Sequence, residues 1–298
     1  MQRFAGIEET GVLDNATLSL MKTPRCSLPD IVGTEDLLKK RRKRRKRYTL
    51  TGLRWEKNDI TWSVHSYPSP SLSPTLYPKL VDLILTYAFL AWSKTTPLNF
   101  HHIHSLQKNL NQEGDIRVSF PSSKHEDGYP FDGRGGTLAH AFFPGMGDMA
   151  GDTHFDNGEH WSYSYGDGTG TTDLFTVAVH EFGHALGLSH SSFNPSIMRP
   201  YYQGTVGDIQ SYTLPMDDQL AIQAIYGRKS ATRPTSAPKY PELPNDPELP
   251  KYPELPNDPE PPKHPKYPKH PELPNQPELP RLPSPSPPIL TPRKYHKV

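Results

Sequence analysis

A single cysteine in 298 residues excludes an intramolecular disulfide framework and any cysteine-rich zinc fold. Long hydrophobic runs are also missing. The most apolar stretch, residues 76–92, carries Lys79 and Asp82 and falls short of a membrane span. Charge of one sign is scarcely in excess: 33 Lys+Arg against 32 Asp+Glu leave +1, which gives no general attraction to nucleic acid or an acidic membrane. No apolar core follows basic residues in positions 1–30, so no secretory signal is expected in these residues. Apolar residues make up only 34% and the mean hydropathy is -0.70, so part of the chain is expected to stay outside any packed core.

What is abundant is proline. Of 35 prolines, 22 fall within residues 231–298, with a twelve-residue period: KYPELPNDPELP at 239–250, KYPELPNDPEPP at 251–262 and KHPELPNQPELP at 269–280. Proline at this density removes amide donors and fixes φ, so disorder or polyproline II is expected. Such a tail reads as a solvated stalk or as a docking segment for polyproline-binding modules. Residues 41–47 read RRKRRKR, a run that repels itself and stays open to a protease or a polyanion. Between run and tail lie roughly 180 residues, enough for one domain with its own core.

Within that span the stretch 76–92 predicts a core helix, from the spacing of Leu80, Ile84, Leu85, Ala88 and Phe89. Alternation predicts strands over Ile60–Val64, Ile116–Phe120 and Ala139–Phe143. Asp173–Leu188 is apolar nearly all round and predicts a buried helix. Met216–Tyr226 predicts a last helix, opened after Pro215 with Asp217 and Asp218 in its first turn. Strands with a long helix among them and two later helices make an α+β domain.

The buried helix carries the chemistry. His180 and His184, four apart, share one helical face and can hold one ion. Gly187 can take positive φ, end the helix and return His190 as a third ligand. Three neutral imidazoles leave a fourth tetrahedral position for water, as in catalytic zinc sites. Glu181 stands beside the first ligand, within reach of that water as a general base. HExxH by itself also occurs in unrelated buried helices. The full HExxHxxGxxH followed by Met198 eight residues on is far more specific, and it is the metzincin pattern.

Residues 1–228 resemble the matrix metalloproteinases. Pro24–Asp30, PRCSLPD, is similar to that family's cysteine switch, with Ser27 at the glycine position. This form, with the basic run ending in Arg44–Arg47, looks most like the membrane-type members held by a glycolipid anchor. The resemblance implies a metzincin-type zinc protease domain: a short twisted mixed sheet, a long active-site helix and a C-terminal helix. It divides the chain into a partial propeptide at 1–47, a catalytic domain at 48–228 and a proline-rich tail at 229–298.

The same resemblance assigns roles. Cys26 occupies the open zinc position in a latent form, its loop held by an Arg25–Asp30 pair. A furin-like convertase cleaves after Arg47, and the new amino terminus at Tyr48 pairs with Asp217 or Asp218. A nuclear-localisation signal or heparin patch is the rival reading of the run; cleavage fits its position, since it severs the switch from the domain. His125, Asp127, His140 and His154 form a structural zinc site. Asp132, Asp156 and Glu159 with the carbonyls of Gly133, Gly135 and Thr137 bind calcium, and Asp115 and Asp152 serve a second calcium. His101, His102 and His104 read as a solvated loop. Met198 supports the catalytic metal from below. Substrate lies extended along Leu138 and Ala139, with a deep pocket for large apolar side chains between the catalytic helix, at Thr176, and Pro200–Tyr202.

The function implied is a latent endopeptidase with two Zn2+ and Ca2+, acting on extracellular-matrix or cell-surface proteins. Its implied partners are those substrates, a furin-like convertase and tissue inhibitors of metalloproteinases; its implied place is extracellular or at the cell surface. The alternative is a catalytically impaired or truncated form acting through its proline repeats. No hemopexin-like domain follows, Met1–Phe4 looks like the interior of a prodomain, and no hydrophobic tail offers an anchor signal, so an incomplete or alternative chain is expected.

Overall fold

Alternating Ile60, Trp62 and Val64 bury one face of a strand, β2 (Asp59–Val64). It lies inside a six-stranded sheet of the computed structural model, which describes residues 1–30, 52–103, 113–163 and 170–230. Arg47, Tyr48, the basic run, His104 and the proline repeats fall outside the described residues.

The sheet order is β1 (Arg25–Cys26), β5 (Thr137–Ala141), β6 (Thr153–Phe155), β4 (Ile116–Ser119), β2, β3 (Asn99–His102). Every neighbouring pair is parallel except β5–β6. Strand β5 ends at Ala141, two residues short of the predicted end at Phe143. His101 and His102 correct the loop expectation. They form edge strand β3 beside β2, and the His102 ring stacks on Trp62 with centroids 3.8 Å apart. A second, two-stranded sheet pairs β7 (Trp161–Ser162) with β8 (Thr172–Asp173).

Before β1 stand two short helices, α1 (Gln2–Ala5) and α2 (Asn15–Leu20), the latter capped by Asp14, which accepts from Thr17 N at 2.8 Å. Helix α3 (Pro78–Ser93) starts on Pro78, whose fixed φ suits a first turn. It packs on α4 (Leu174–Ala185), with the Phe89 and Phe182 rings stacked at 3.7 Å and Trp92 Nε1 donating to Val179 O at 3.0 Å. Packed against both α3 and the sheet, α4 is buried along its whole length, as an all-round apolar helix must be. Asp173 caps it, accepting from Thr176 N at 2.7 Å. The helix stops at Ala185, before the predicted Leu188, because Gly187 takes φ 102 and a side chain there would strike the Leu53 carbonyl.

Helix α5 (Met216–Tyr226) puts its acidic start to use. Asp218 accepts from Ser196 Oγ at 2.6 Å and Ile197 N at 2.8 Å, and Asp217 accepts from Ser191 Oγ at 2.8 Å. These bonds brace the two loops that carry His190 and Met198. Met198 itself lies against Gly183 of α4, where a Cβ would collide with its sulfur. Among the described residues no helix is long and apolar enough to cross a membrane.

Candidate metal centre and active site

Helix α4 delivers His180 and His184 on one face, and the turn at Gly187 brings back His190. Their rings cluster with centroids 4.7 to 5.4 Å apart. With Cys26 Sγ, one ligand atom from each of the four residues lies within 4.8 Å of the others. His180 Nε2 and His184 Nε2 stand 3.0 Å apart. Their Nδ1 atoms face the Ile197 and Leu188 carbonyls, which accept only, so both Nδ1 atoms carry the proton. Two ring lone pairs then face each other, and His190 Nε2 has no partner at all. Three nitrogens and one sulfur set this way fit a tetrahedral zinc.

Electrostatics agree with that fit. Burial pushes His180 down to about 3, and it pushes His184 and His190 down as well, so all three rings are neutral and ready to coordinate. Burial pushes the Glu181 carboxyl up to about 8. Its Oε2 lies 3.6 Å from Cys26 Sγ, while its buried Oε1 has no partner. The thiol is raised too, by burial first and then by the Glu181 charge. A cation here relieves both acids, since a positive charge favours the ionised form of each.

Cys26 arrives on β1, which lies between two backbone segments. Arg25 N donates to Gly136 O at 2.8 Å and Ser27 N to Ala139 O at 3.1 Å on one side. On the other side Cys26 N donates to Pro200 O at 2.9 Å, and Pro24 O accepts from Tyr202 N at 2.9 Å. Arg25 Nη2 and Asp30 Oδ1 pair at 2.5 Å. The predicted substrate edge at Leu138–Ala139 and the wall at Pro200–Tyr202 are therefore both bridged by the chain's own N-terminal segment.

Beside Glu181 opens a cavity of about 190 Å³, lined by Thr176, Val177, Ile197, Tyr202, Val206 and Tyr212 among others. Thr176 does face it, although its Oγ1 accepts from Val206 N at 3.2 Å. Val206 and Tyr212 lie 30 and more residues beyond Thr176, and no periodicity marked them.

A second cluster gathers on one carboxylate oxygen. Asp127 Oδ2 lies 2.6 Å from His140 Nε2, 2.8 Å from His154 Nδ1 and 2.8 Å from His125 Nε2. Burial holds His140 down to about 4, again a neutral ligand. Among the described residues these are the two groups of His, Cys, Asp or Glu that converge to metal-ligand distance.

The calcium expectations fare differently. Asp156 and Glu159 sit against the 132–137 loop, where Gly133 N donates to Asp156 at 2.9 Å and Gly135 N to Glu159 at 2.5 Å. Thr137 N donates to Asp132 at 3.0 Å. Loop amides thus bond to these acids. Burial and the Asp132 charge raise both Asp156 and Glu159. The second expected pair, Asp115 and Asp152, is engaged by side chains of the domain. Asp115 is taken by Lys57 Nζ at 2.6 Å and by Thr61. Arg117 forks onto both oxygens of Asp152 at 2.9 and 2.6 Å.

An HExxHxxGxxH helix beneath a mostly parallel sheet with an antiparallel strand over the site defines a metzincin-type fold. The matrixin peptidase family model matches residues 54–227, and the chain belongs to that family. Similar proteins include matrix metalloproteinase-25 of Homo sapiens, 51% identical over 232 residues, which are 78% of this chain and 39% of the relative. Matrix metalloproteinase-17 of Homo sapiens is 47% identical over 247 residues, 83% of this chain and 38% of the relative. Matrix metalloproteinase-15 of Homo sapiens is 46% identical over 229 residues, 76% and 33%. The chain thus spans less than two-fifths of the length of these relatives.

Proposed function

We propose that this chain is a zinc-dependent endopeptidase whose own N-terminal segment keeps it latent. The carrying observation is the convergence of Cys26, His180, His184 and His190 on one point, with a buried, unpartnered Glu181 oxygen beside it. Zinc bound there supplies a Lewis acid that activates water and polarises the scissile carbonyl. Glu181 takes the proton of the attacking water and returns it to the leaving amine. The Leu138–Ala139 edge and Pro200–Tyr202 hold the peptide extended by main-chain hydrogen bonds. The cavity beside Thr176 seats an apolar side chain, which excludes water from the cut bond.

In the uncleaved chain β1 fills that same cleft and Cys26 fills the fourth ligand position. Cleavage after Arg47 by a furin-like convertase separates residues 1–47 from a catalytic domain at 48–228, with the proline-rich tail from 229 onward. Substrates are extracellular-matrix or cell-surface proteins, and tissue inhibitors of metalloproteinases are partners of the freed cleft. The His125, Asp127, His140 and His154 cluster holds a second, structural zinc. The test is peptide cleavage by the processed chain: activity abolished by a chelator and restored by Zn2+, with large apolar residues favoured just after the cut. Chelator-insensitive activity, or a preference there for Gly or Ala, sinks this reading.

Calcium binds at Asp132, Asp156 and Glu159. Because Asp156 and Glu159 are raised in the folded state, the stability they contribute is present below their unfolded values near 4 and is lost as pH rises through their raised values. Calcium, which binds the ionised acids, should therefore stabilise more at pH 7 than at pH 4; at a hundred times its Kd the stabilisation is about 2.7 kcal/mol. Melting curves with calcium or a calcium-selective chelator check this. A calcium effect independent of pH contradicts it.

A further inference from the structure

The three imidazoles of the first cluster differ in what holds their outer nitrogen. His180 Nδ1 lies 2.7 Å from Ile197 O, and His184 Nδ1 lies 2.6 Å from Leu188 O. Both acceptors belong to the peptidase domain. His190 Nδ1 faces Asp30 Oδ1 at 3.2 Å, a carboxylate of the N-terminal segment 160 residues away in the chain. The same oxygen takes Arg25 Nη2 at 2.5 Å. The His190 side chain is wholly buried and that of Asp30 only 14% exposed, so the contact is shielded from water. With its proton drawn to Nδ1, His190 presents Nε2 to the cluster, where it has no other partner. An outer acceptor sets the tautomer and aim of a ligating imidazole and raises its basicity.

We infer that Asp30 is a positioning residue for the metal centre: acting through His190, it tightens zinc binding in the uncleaved chain, and removal of the segment withdraws this acceptor together with the Cys26 thiol. The inference rests on reading the cluster as a zinc centre. The N-terminal segment then does two separate things. It blocks the fourth position, and it completes the outer support of the third histidine. Cleavage leaves His190 as the one ligand whose outer nitrogen has lost its partner, while His180 and His184 keep theirs.

The test uses the full uncleaved chain. Zn2+ is titrated against a chromophoric chelator, and Co2+ is loaded in parallel so that the cobalt–thiolate absorption reports Cys26 at the metal. Asp30→Ala is expected to weaken zinc binding at this centre about 10- to 100-fold while the cobalt–thiolate band persists. Asp30→Asn, whose amide oxygen still accepts from Nδ1–H, should recover most of the affinity. Unchanged affinity in Asp30→Ala overturns the inference. So does an affinity loss accompanied by loss of the thiolate band, which confines Asp30 to holding the loop through Arg25. Zinc binding left unchanged by His180→Ala overturns the zinc-centre reading itself, which is a distinguishable result.

Discussion

Glu181→Gln in the processed chain should lower kcat by about 10² to 10⁴-fold, the usual worth of a positioned general base. The substitution keeps the shape of a side chain that is fully buried and removes only its basicity. Oε1 has no hydrogen-bond partner and Oε2 only a thiol at 3.6 Å, so no structural network depends on the charge. The fold and the zinc content should therefore stay at wild-type levels, which circular dichroism and metal analysis check. KM should change little, because the cavity and the main-chain edges are untouched. Activity within tenfold of wild type would remove Glu181 from the proton-transfer role.

Cys26→Ala in the uncleaved chain should produce the second largest effect. If the wild-type uncleaved chain shows about 1% of processed activity, the segment favours closure by roughly 2.7 kcal/mol. The variant loses the sulfur ligand but keeps the backbone bonds of Arg25, Cys26 and Ser27 and the Arg25–Asp30 pair. Each backbone bond is worth only about 0.5–1.5 kcal/mol net. The segment should therefore compete with substrate without silencing the centre. The expected signature is kcat approaching that of the processed chain while KM stays raised. A Cys26→Ala chain as silent as wild type assigns latency to the strand pairing alone.

Much of this site was legible along the chain, and for a local reason. His180, Glu181, His184, Gly187 and His190 lie within eleven residues, and helical geometry alone puts the two histidines on one face. The helices at Pro78–Ser93 and Met216–Tyr226 were legible from apolar spacing and a proline start. Short elements were not. Strand β3 carries two histidines on a sheet edge, and β1 has only two residues, so neither shows a period.

By itself, the sequence determined the metal-binding helix, the three histidines that can share one ion and the extent of the proline repeats, because these depend on neighbours in the chain. Only the tertiary structure decided which groups answer one another across it. It turned Arg117 onto Asp152, aimed loop amides at Asp156 and Glu159, and placed Asp30 against His190. Those contacts join residues 23 to 160 positions apart. They arise from packing the sheet, the loops and the N-terminal segment around α4, and no local pattern records them.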